Sequence, residues 1–306
     1  MKLKIWFLET RPQFLLLSVV LAFLGTCLAW YSIKIGLVKG EPEALNLGYA
    51  ILAFFGLLLT HISVNTLNDY FDYKSGIDLA VKRTPFSGGS GILPPGSLKP
   101  KQVLWLGLVS LVLAVPIGVF FVIETGWQLI PLLIVAASCV VLYTPVVLKT
   151  CWPEWAPGVG LGVLPILGFY FIQTGEYTLN AFIASIPSGI LVHNLLFINE
   201  FPDVEADRKG GRKTTPVVMG LEKSSKIYSA LTIMVYLWII GSVAAKVMPV
   251  YCLIALLTLP FAIKAIRGSM KHSDMSKLVP ALANNVLVVL LTQLLLGIGY
   301  ILSGYF

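Results

Sequence analysis

Charged residues are scarce in this sequence, and their scarcity excludes an ordinary soluble domain. Asp, Glu, Lys and Arg make up 12% of the 306 residues, whereas soluble domains carry about 25%. The four cysteines have neither the spacing of a metal site nor an evident pairing, so we interpret them as packing residues. Apolar residues are abundant instead, at 57% of the chain, with a mean hydropathy of +0.85. The composition is that of a polytopic membrane protein.

The apolar residues fall into nine runs, each about 20 residues long, as a helix that crosses a bilayer requires. The runs are continuous and do not alternate, which excludes a transmembrane β-barrel. The predicted spans are 13–33, 48–68, 103–123, 128–148, 157–174, 180–200, 227–246, 249–265 and 280–303. The sequence thus predicts an all-α fold of nine transmembrane helices around a central cavity, in a single domain over residues 1–306.

The net charge of +7 does not require a nucleic-acid partner. If the N-terminus is cytoplasmic, all 22 Lys and Arg residues except Lys34, Lys39 and Lys246 lie on the cytoplasmic side of the predicted spans. This distribution follows the positive-inside rule. We therefore predict an integral membrane protein whose N-terminus is cytoplasmic, as are the loops after the second and sixth spans.

Directly after the second span, three carboxylates and an asparagine occur within eleven residues, as Asn68, Asp69, Asp72 and Asp78. An acidic cluster where a membrane helix meets water is costly and usually functional. Lys82, Arg83 and the glycine-rich segment 87–91 follow it. Because hard divalent cations take oxygen ligands while Lys and Arg bind phosphate, this stretch predicts a site for a metal and an anion together.

The second span also carries His61 and Asn65, on the same helical face as Asn68 and Asp72. The four residues are spaced by four, three and four positions, which places them on one side of a helix. A polar face of this kind is directed at protein or water and not at lipid. Two interpretations stay open: His61 and Asn65 contact a ligand, or they form hydrogen bonds between helices.

A second polar stretch follows the sixth span and matches the first at an offset of 131 residues. The matched pairs are Asn68 and Asn199, Asp69 and Glu200, Asp72 and Asp203, Lys82 and Lys213, Thr84 and Thr215, and Pro85 and Pro216. Four spans separate the two copies, so both helices run in the same direction and the repeat is of the parallel kind. We therefore predict repeat motifs at 68–85 and 199–216 whose acidic residues face one another across one cavity.

The two copies differ at their third acidic position. Asp203 and Asp207 are four residues apart, whereas the first copy has Gly76 at the corresponding place, and Asp78 is the substitute if the chain turns there. Two opposed sets of carboxylates suit Mg²⁺, which binds a few carboxylates together with phosphate oxygens. Mg²⁺ also neutralises a departing diphosphate.

Tyr143 and Lys149 end the fourth span on the cytoplasmic side, next to the predicted acidic cluster. Tyr143 is a candidate for stabilising a cation with its ring, and Lys149 for binding phosphate. Tyr143 is equally typical of an aromatic residue at a membrane interface. Arg11, before the first span, is likewise explained by anchoring at the lipid headgroups.

The patterns Asn68-Asp69-x-x-Asp72 and Asn199-x-x-x-Asp203-x-x-x-Asp207, on a nine-span chain, resemble the UbiA superfamily of intramembrane prenyltransferases. The segments Lys82-Arg83-Thr84-Pro85 and Tyr143-Thr144-Pro145 are similar to the MenA-like branch, whose members attach a polyprenyl chain to 1,4-dihydroxy-2-naphthoate in menaquinone synthesis. The resemblance implies a polyprenyl diphosphate donor, an aromatic acceptor and two Mg²⁺ ions that bridge the diphosphate.

The resemblance also implies roles for individual residues. The metal ions would be held by Asn68, Asp72, Asn199, Asp203 and Asp207, with Asp78 as a further candidate. The substrates would be contacted by Arg11, His61, Asn65, Lys82, Arg83, Lys149 and Lys213. Tyr143 would face the allylic cation, and Asp69 or Asp78 would accept a proton. The loop 87–96 would act as a lid that excludes water.

Other functions remain compatible with parts of this pattern. A prenyltransferase acting on 4-hydroxybenzoate, haem or a lipid precursor would carry the same motifs. A secondary transporter also combines internal repeats with buried acids, but its site lies near the bilayer midplane, whereas these clusters lie at span ends. A CDP-alcohol phosphotransferase would need the signature Asp-Gly-x-x-Ala-Arg, which the sequence lacks.

Overall fold

The computed structural model describes residues 2–39, 44–81 and 83–306. Within them, eight helices are long and apolar enough to cross a membrane, and one further apolar helix is shorter. In chain order they are α1 Pro12–Lys34, α2 Leu47–Ser75, α3 Pro100–Thr125, α4 Trp127–Leu142, α5 Trp155–Thr174, α6 Leu179–Asn199, α7 Leu221–Ala244, α8 Val250–Ser269 and α9 Met275–Tyr305. The predicted all-α membrane fold is confirmed, with α4 as the short member.

Helix α2 extends beyond the predicted end of its span at residue 68 and ends at Ser75. The apolar run stops near Leu67, but the polar residues that follow are compatible with a helix. Gly76 ends it in the left-handed conformation, with φ of 81°, which glycine adopts without steric cost. Asp69 and Asp72 therefore lie on the last turns of a long helix, and a short helix, Ile77–Ala80, follows.

Helices α4 and α5 are less regular than their sequences predict. Helix α4 ends at Leu142, short of the predicted 148, since Pro145 lacks the N–H that a continued helix would need. Helix α5 contains a π-helical segment, Gly158–Val163. There it approaches α6 so closely that a Cβ on Gly162 would lie 2.7 Å from the Cα of Gly189. Glycine is therefore required at this crossing.

Helix α6 is the most enclosed of the spanning helices. In its most apolar window 72% of the residues are buried, compared with 17% in α3. Its residue Leu191 belongs to the largest buried cluster, together with Leu21 of α1, Val235 of α7 and Leu296 of α9. Helix α6 is thus held at the centre of the bundle, and its last residue, Asn199, is fixed relative to α1.

Hydrogen bonds between side chains connect α6, α7 and α9 inside the bundle. The Asn194 amide donates to Thr232 Oγ1 at 3.0 Å, and Tyr228 Oη donates to Asn285 Oδ1 at 2.8 Å. Within a membrane such bonds contribute about 0.6 to 2 kcal/mol each. They specify how the helices that carry the second polar stretch are arranged.

Candidate active site

The two polar stretches line the same small cavity, which has a volume of about 90 Å³. The first stretch contributes Asn68, Asp72 and Asp78, and the second contributes Asn199, Glu200, Asp203, Asp207 and Arg212. Residues that are more than 120 positions apart in the chain therefore face one space. All five of the predicted metal ligands are among them.

Local structure explains how the second stretch presents its acids. Helix α6 ends at Asn199, and Asp203 precedes a short helix, Val204–Lys209, that carries Asp207. The backbone N–H of Asp207 donates to the carbonyl of Asp203 at 2.8 Å, which is a single helical turn. Residues four apart share a helical face, so both carboxylates are directed at the cavity.

Arg212 lines the polar cavity and is a candidate site residue that the sequence analysis missed. Its guanidinium forms ion pairs with Asp72 and with Asp207, the second at 2.9 Å, and its side chain is 13% exposed. Asp72 belongs to the first stretch and Asp207 to the second, so Arg212 connects the two. The available signal was a basic residue directly after Gly210 and Gly211, but nothing in the first stretch matches it.

Several oxygens around this cavity are buried and have no hydrogen-bond donor among the described residues. They are Asn199 Oδ1, Glu200 Oε2, Asp203 Oδ1 and Asp207 Oδ2. Buried acceptors are normally paired, so unpaired ones need an explanation. All four unpaired atoms are oxygens, and oxygen ligands fit a hard divalent cation such as Mg²⁺.

The carboxylates are nevertheless not assembled around one point. Over residues 2–39, 44–81 and 83–306, no three acidic, His or Cys side chains are close enough to share a metal ion. Arg212 is paired with Asp72 and Asp207, and its guanidinium lies between them. The residue types fit the metal, while their present arrangement is organised around an arginine.

The glycine-rich loop covers one side of the polar cavity through Ser87, Gly88 and Gly89. Asp203 lines the same cavity, on the side of the second stretch. Gly89 has a φ of 70°, and a Cβ there would lie 2.9 Å from Asp78 Oδ2. A residue without a side chain is needed at this point because the loop backbone passes so close to the carboxylate. This placement is compatible with the predicted lid.

Asp69 is not among the residues that line the cavity, and it holds this loop. Its Oδ2 accepts a hydrogen bond from the backbone N–H of Ser90 at 2.8 Å, and Arg11 lies 3.7 Å from its Oδ1. The hydroxyl of Ser90 donates to Glu9 Oε2 at 2.9 Å. Glu9, on the short N-terminal helix Lys2–Glu9, is fully buried. Two carboxylates from separate helices thus bind one serine of the loop.

Burial changes the protonation of several acids at this site. It raises the pKa of Asp78 to about 8, with a further contribution from the negative charges of Asp72 and Asp69. It raises the pKa of Asp203 to about 7, to which the charge of Asp207 also contributes. Glu9 has its pKa raised to about 8 by burial and by Asp69. The site therefore holds protons near neutral pH that a cation would displace.

A larger, mostly apolar cavity of about 260 Å³ adjoins the polar one. The residues that line both cavities are Arg11, Asn68, Tyr143, Leu196 and Asn199. The apolar walls come from helices α1 to α6. A ligand with a charged head and a hydrocarbon tail would therefore place the bond between them beside Tyr143.

His61 and Asn65 line the apolar cavity and also bond to neighbouring segments. His61 Nδ1 is hydrogen-bonded to Ser18 Oγ of α1 at 2.8 Å, and the Asn65 amide donates to the carbonyl of Thr10 at 3.1 Å. The two interpretations of these residues are therefore compatible. Their bonds attach α2 to the segment that contains Arg11.

The predicted basic residues are distributed unevenly. Arg11 lines both cavities. Arg83 is exposed and donates to the carbonyl of Gly89 at 3.2 Å, so it braces its own loop. Lys149 and Lys213 are exposed and line neither cavity. Lys82 lies outside the described residues.

A family model described as the UbiA prenyltransferase family matches residues 29–287. The 1,4-dihydroxy-2-naphthoate octaprenyltransferase of Bacillus subtilis is 30% identical over 299 residues, which cover 97% of this chain and 92% of the relative. The protein of the same name from Haemophilus influenzae is 25% identical, covering 99% and 97%. Digeranylgeranylglyceryl phosphate synthase of Pyrococcus abyssi is 25% identical, covering 76% of each chain.

Solved structures share the fold. A UbiA homologue from Aeropyrum pernix K1 aligns with a TM-score of 0.68 at 14% identity, covering 95% of this chain and 98% of that one. A UbiA homologue from Archaeoglobus fulgidus, bound to GPP and Mg²⁺, aligns with a TM-score of 0.57 at 14% identity, covering 95% and 99%. The arrangement of helices described above is therefore common to these proteins.

Proposed function

The chain belongs to the UbiA prenyltransferase family, and we propose that it transfers an isoprenyl chain from a polyprenyl diphosphate to 1,4-dihydroxy-2-naphthoate, with Mg²⁺. Family membership makes it a prenyltransferase and not the transporter that acidic clusters alone would also allow. The acceptor is proposed because the relatives named for naphthoate match nearly their whole length to this chain.

The junction of the two cavities is the observation that carries the proposal. A prenyl diphosphate is charged at one end and apolar along its length, and the polar cavity meets the apolar one at Asn68, Tyr143 and Asn199. The diphosphate would occupy the polar cavity and the hydrocarbon chain the apolar one. The reacting carbon would then lie at the junction, beside Tyr143.

The residues that would hold Mg²⁺ are Asn68, Asp72, Asn199, Asp203 and Asp207, with Asp78 as a further candidate. Three of these residues, Asn199, Asp203 and Asp207, have a buried oxygen without a hydrogen-bond partner among the described residues, as does their neighbour Glu200. Such oxygens are available to bind a metal ion, which supports this set. Bound Mg²⁺ supplies charge that neutralises the diphosphate as it departs. The number of ions, two in the resemblance, belongs to the same proposal.

The chain's own residues supply the rest of the chemistry. Arg11 and Arg212 line the polar cavity and are placed to bind phosphate oxygens. Tyr143 presents its ring at the junction, where positive charge develops on the allylic carbon. The loop Ser87–Gly89 excludes water that would otherwise react there. Asp78 lines the cavity and stays a candidate proton acceptor, whereas Asp69 is engaged with Ser90.

The positive-inside distribution supports a cytoplasmic polar cavity. The loops after α2 and α6 supply residues of this cavity and carry several Lys and Arg, as the positive-inside rule expects of cytoplasmic loops. A water-soluble diphosphate product would leave on that side. The prenylated product would stay among the apolar helices and pass into the bilayer.

A lipid acceptor is the second candidate, favoured by the relative named digeranylgeranylglyceryl phosphate synthase. The two candidates are separated by an assay of the purified protein with geranylgeranyl and octaprenyl diphosphates. The acceptors are 1,4-dihydroxy-2-naphthoate, 4-hydroxybenzoate and a geranylgeranylglyceryl phosphate, each with Mg²⁺ or with EDTA. Prenylated naphthoate formed only with Mg²⁺ supports the proposal. Turnover with the glyceryl phosphate alone rejects it in favour of the second candidate.

A further inference from the structure

The position of Arg212 between the two stretches has a consequence for metal binding. Its guanidinium is paired with Asp72 on α2 and with Asp207 on the short helix after α6. All three side chains are largely buried. Removing one partner from a buried ion pair leaves an uncompensated charge, which is strongly unfavourable. Without a metal, Arg212 is therefore the group that balances these two carboxylates.

A buried carboxylate with a purely structural role would have both of its oxygens hydrogen-bonded. Glu154 illustrates such a case: it is fully buried, and both of its oxygens accept hydrogen bonds from Thr215, at 2.8 and 2.9 Å. Asp207, by contrast, has one oxygen on Arg212 and leaves Oδ2 without a donor among the described residues. Asp203 Oδ1 nearby is also unpaired. The arrangement around Arg212 is thus incomplete.

The backbone of Arg212 is fixed independently of its side chain. Its N–H donates to the carbonyl of Asp207 at 3.0 Å, after a turn in which Gly211 has a φ of 75°. The guanidinium can therefore leave the carboxylates by side-chain rotation alone.

We infer that Arg212 is a stand-in cation: in the metal-free protein it occupies Asp72 and Asp207, Mg²⁺ must displace it to bind them, and the displaced guanidinium then binds the diphosphate. This rests on the proposed Mg²⁺-dependent function. It follows that Mg²⁺ alone binds weakly and that the metal and the donor bind cooperatively, because the diphosphate provides the new partner for the arginine.

The test is Mg²⁺ binding without donor, measured by calorimetry and by thermal unfolding of EDTA-treated protein. Arg212→Gln should bind Mg²⁺ about tenfold tighter than the wild type or more, the size of typical coupling between two ligands. Its metal-free form should unfold at a lower temperature, and Mg²⁺ should stabilise it more than the wild type. Arg208→Gln is the matched control, because Arg208 is exposed and paired only with exposed Glu205 among the described residues.

Equal or weaker Mg²⁺ binding in Arg212→Gln than in the control overturns the inference. Arg212→Lys is a milder second variant: a single ammonium balances one carboxylate, so its Mg²⁺ affinity should lie between those of the wild type and Arg212→Gln, and an affinity equal to the wild type contradicts the inference. The prenylation assay is independent of these measurements. If the wild type forms product but Arg212→Gln binds Mg²⁺ no tighter than the wild type, the stand-in role alone is rejected. If Arg212→Gln binds Mg²⁺ more tightly but the wild type forms no product, the proposed function alone is rejected.

Discussion

The two polar stretches match in sequence, but their matched residues make different contacts in the folded protein. Asp69 and Glu200 occupy matched positions, yet Asp69 is bonded to Ser90 of the loop, while Glu200 lies in the polar cavity with an unpaired oxygen. Thr84 accepts hydrogen bonds within its own loop, whereas Thr215 donates to Glu154. The first stretch thus holds the loop that covers the cavity, and the second supplies Arg212, a cation inside it.

The difference follows from what each stretch is attached to. Helix α2 continues through the first acidic cluster to Ser75, so a separate loop must return to cover the site. Helix α6 ends at Asn199, and the chain then folds into two short helices that keep Asp203, Asp207 and Arg212 beside the cavity. Matched residues therefore indicate a shared location, and their partners decide their roles.

The largest effect is expected where the two stretches act alike. Asp72→Ala and Asp203→Ala should each lower turnover at least about a hundredfold, comparable to the loss of a group that stabilises developing charge. Each variant removes a proposed metal ligand from one side of the cavity. Turnover with Mg²⁺ is the measurement, with gel filtration and thermal unfolding as controls for folding. Near-normal activity of either variant would rule out a site shared by both stretches.

A second comparison separates the matched acids Asp69 and Glu200. Asp69→Ala removes the acceptor for the Ser90 N–H and should lower kcat/KM about tenfold, the size expected when a buried hydrogen bond is lost. Because the loop loosens, diphosphate released per prenylated product should also rise. Glu200→Ala should lower activity without that rise, since the described contacts of the loop do not include Glu200.

The ratio of diphosphate to product is the decisive measurement for this pair. Glu205→Ala is a suitable control, because its side chain is 76% exposed and pairs with Arg208 on the surface. An unchanged ratio in Asp69→Ala would show that its bond to Ser90 does not keep water out.

The pH dependence of stability distinguishes Asp78 of the first stretch from Asp203 of the second. Their pKa values in the folded protein, about 8 and about 7, lie above the ordinary value of 3.8. Between these values the folded state holds protons that the unfolded state has lost. The free energy of unfolding of the metal-free protein should therefore fall as pH rises from about 4 to about 8.

Thermal unfolding between pH 5 and 9, with EDTA or with Mg²⁺, tests this dependence. The contribution of each residue should end near its own pKa in the folded protein, about 7 for Asp203 and about 8 for Asp78. Asp203→Asn should flatten the curve below pH 7 only. Asp78→Asn should also flatten it between pH 7 and 8, although Glu9, with a pKa of about 8, keeps part of the slope. Mg²⁺ should stabilise the wild type increasingly over the same interval, because it competes with the protons. Stability that rises with pH in EDTA would contradict the prediction.

The smallest effects are expected at the exposed lysines near each stretch. Lys149→Ala and Lys213→Ala should change the KM for the donor by no more than about fivefold, the upper size for exposed charges. Arg11→Ala should change it more, because Arg11 lines both cavities. Donor titrations at constant ionic strength measure the three variants together. A larger effect at Lys149 than at Arg11 would mean that the diphosphate binds closer to the surface than the polar cavity.

Much of the site was predictable because charged and polar residues are energetically unfavourable next to apolar membrane helices unless they have a binding partner. Carboxylates such as Asp72 and Asp203 at the end of an apolar helix are unfavourable unless they bind something, so their presence indicates a site. Helical spacing likewise placed His61 and Asn65 on the face of Asp72. The roles of Asp69 and Lys149 were not predictable, because exposure and hydrogen-bond partners depend on segments distant in the chain.

The sequence by itself determined the membrane class, the approximate spans and the oxygen-rich character of the site. These properties depend on residue type and on spacing within a few helical turns, which are local. Only the tertiary structure decided that Arg212 pairs with Asp72, 140 residues away, and that Glu9 binds Ser90, 81 residues away. Such pairs form because helix packing buries charges that must then find partners, and no local pattern specifies which partner is within reach.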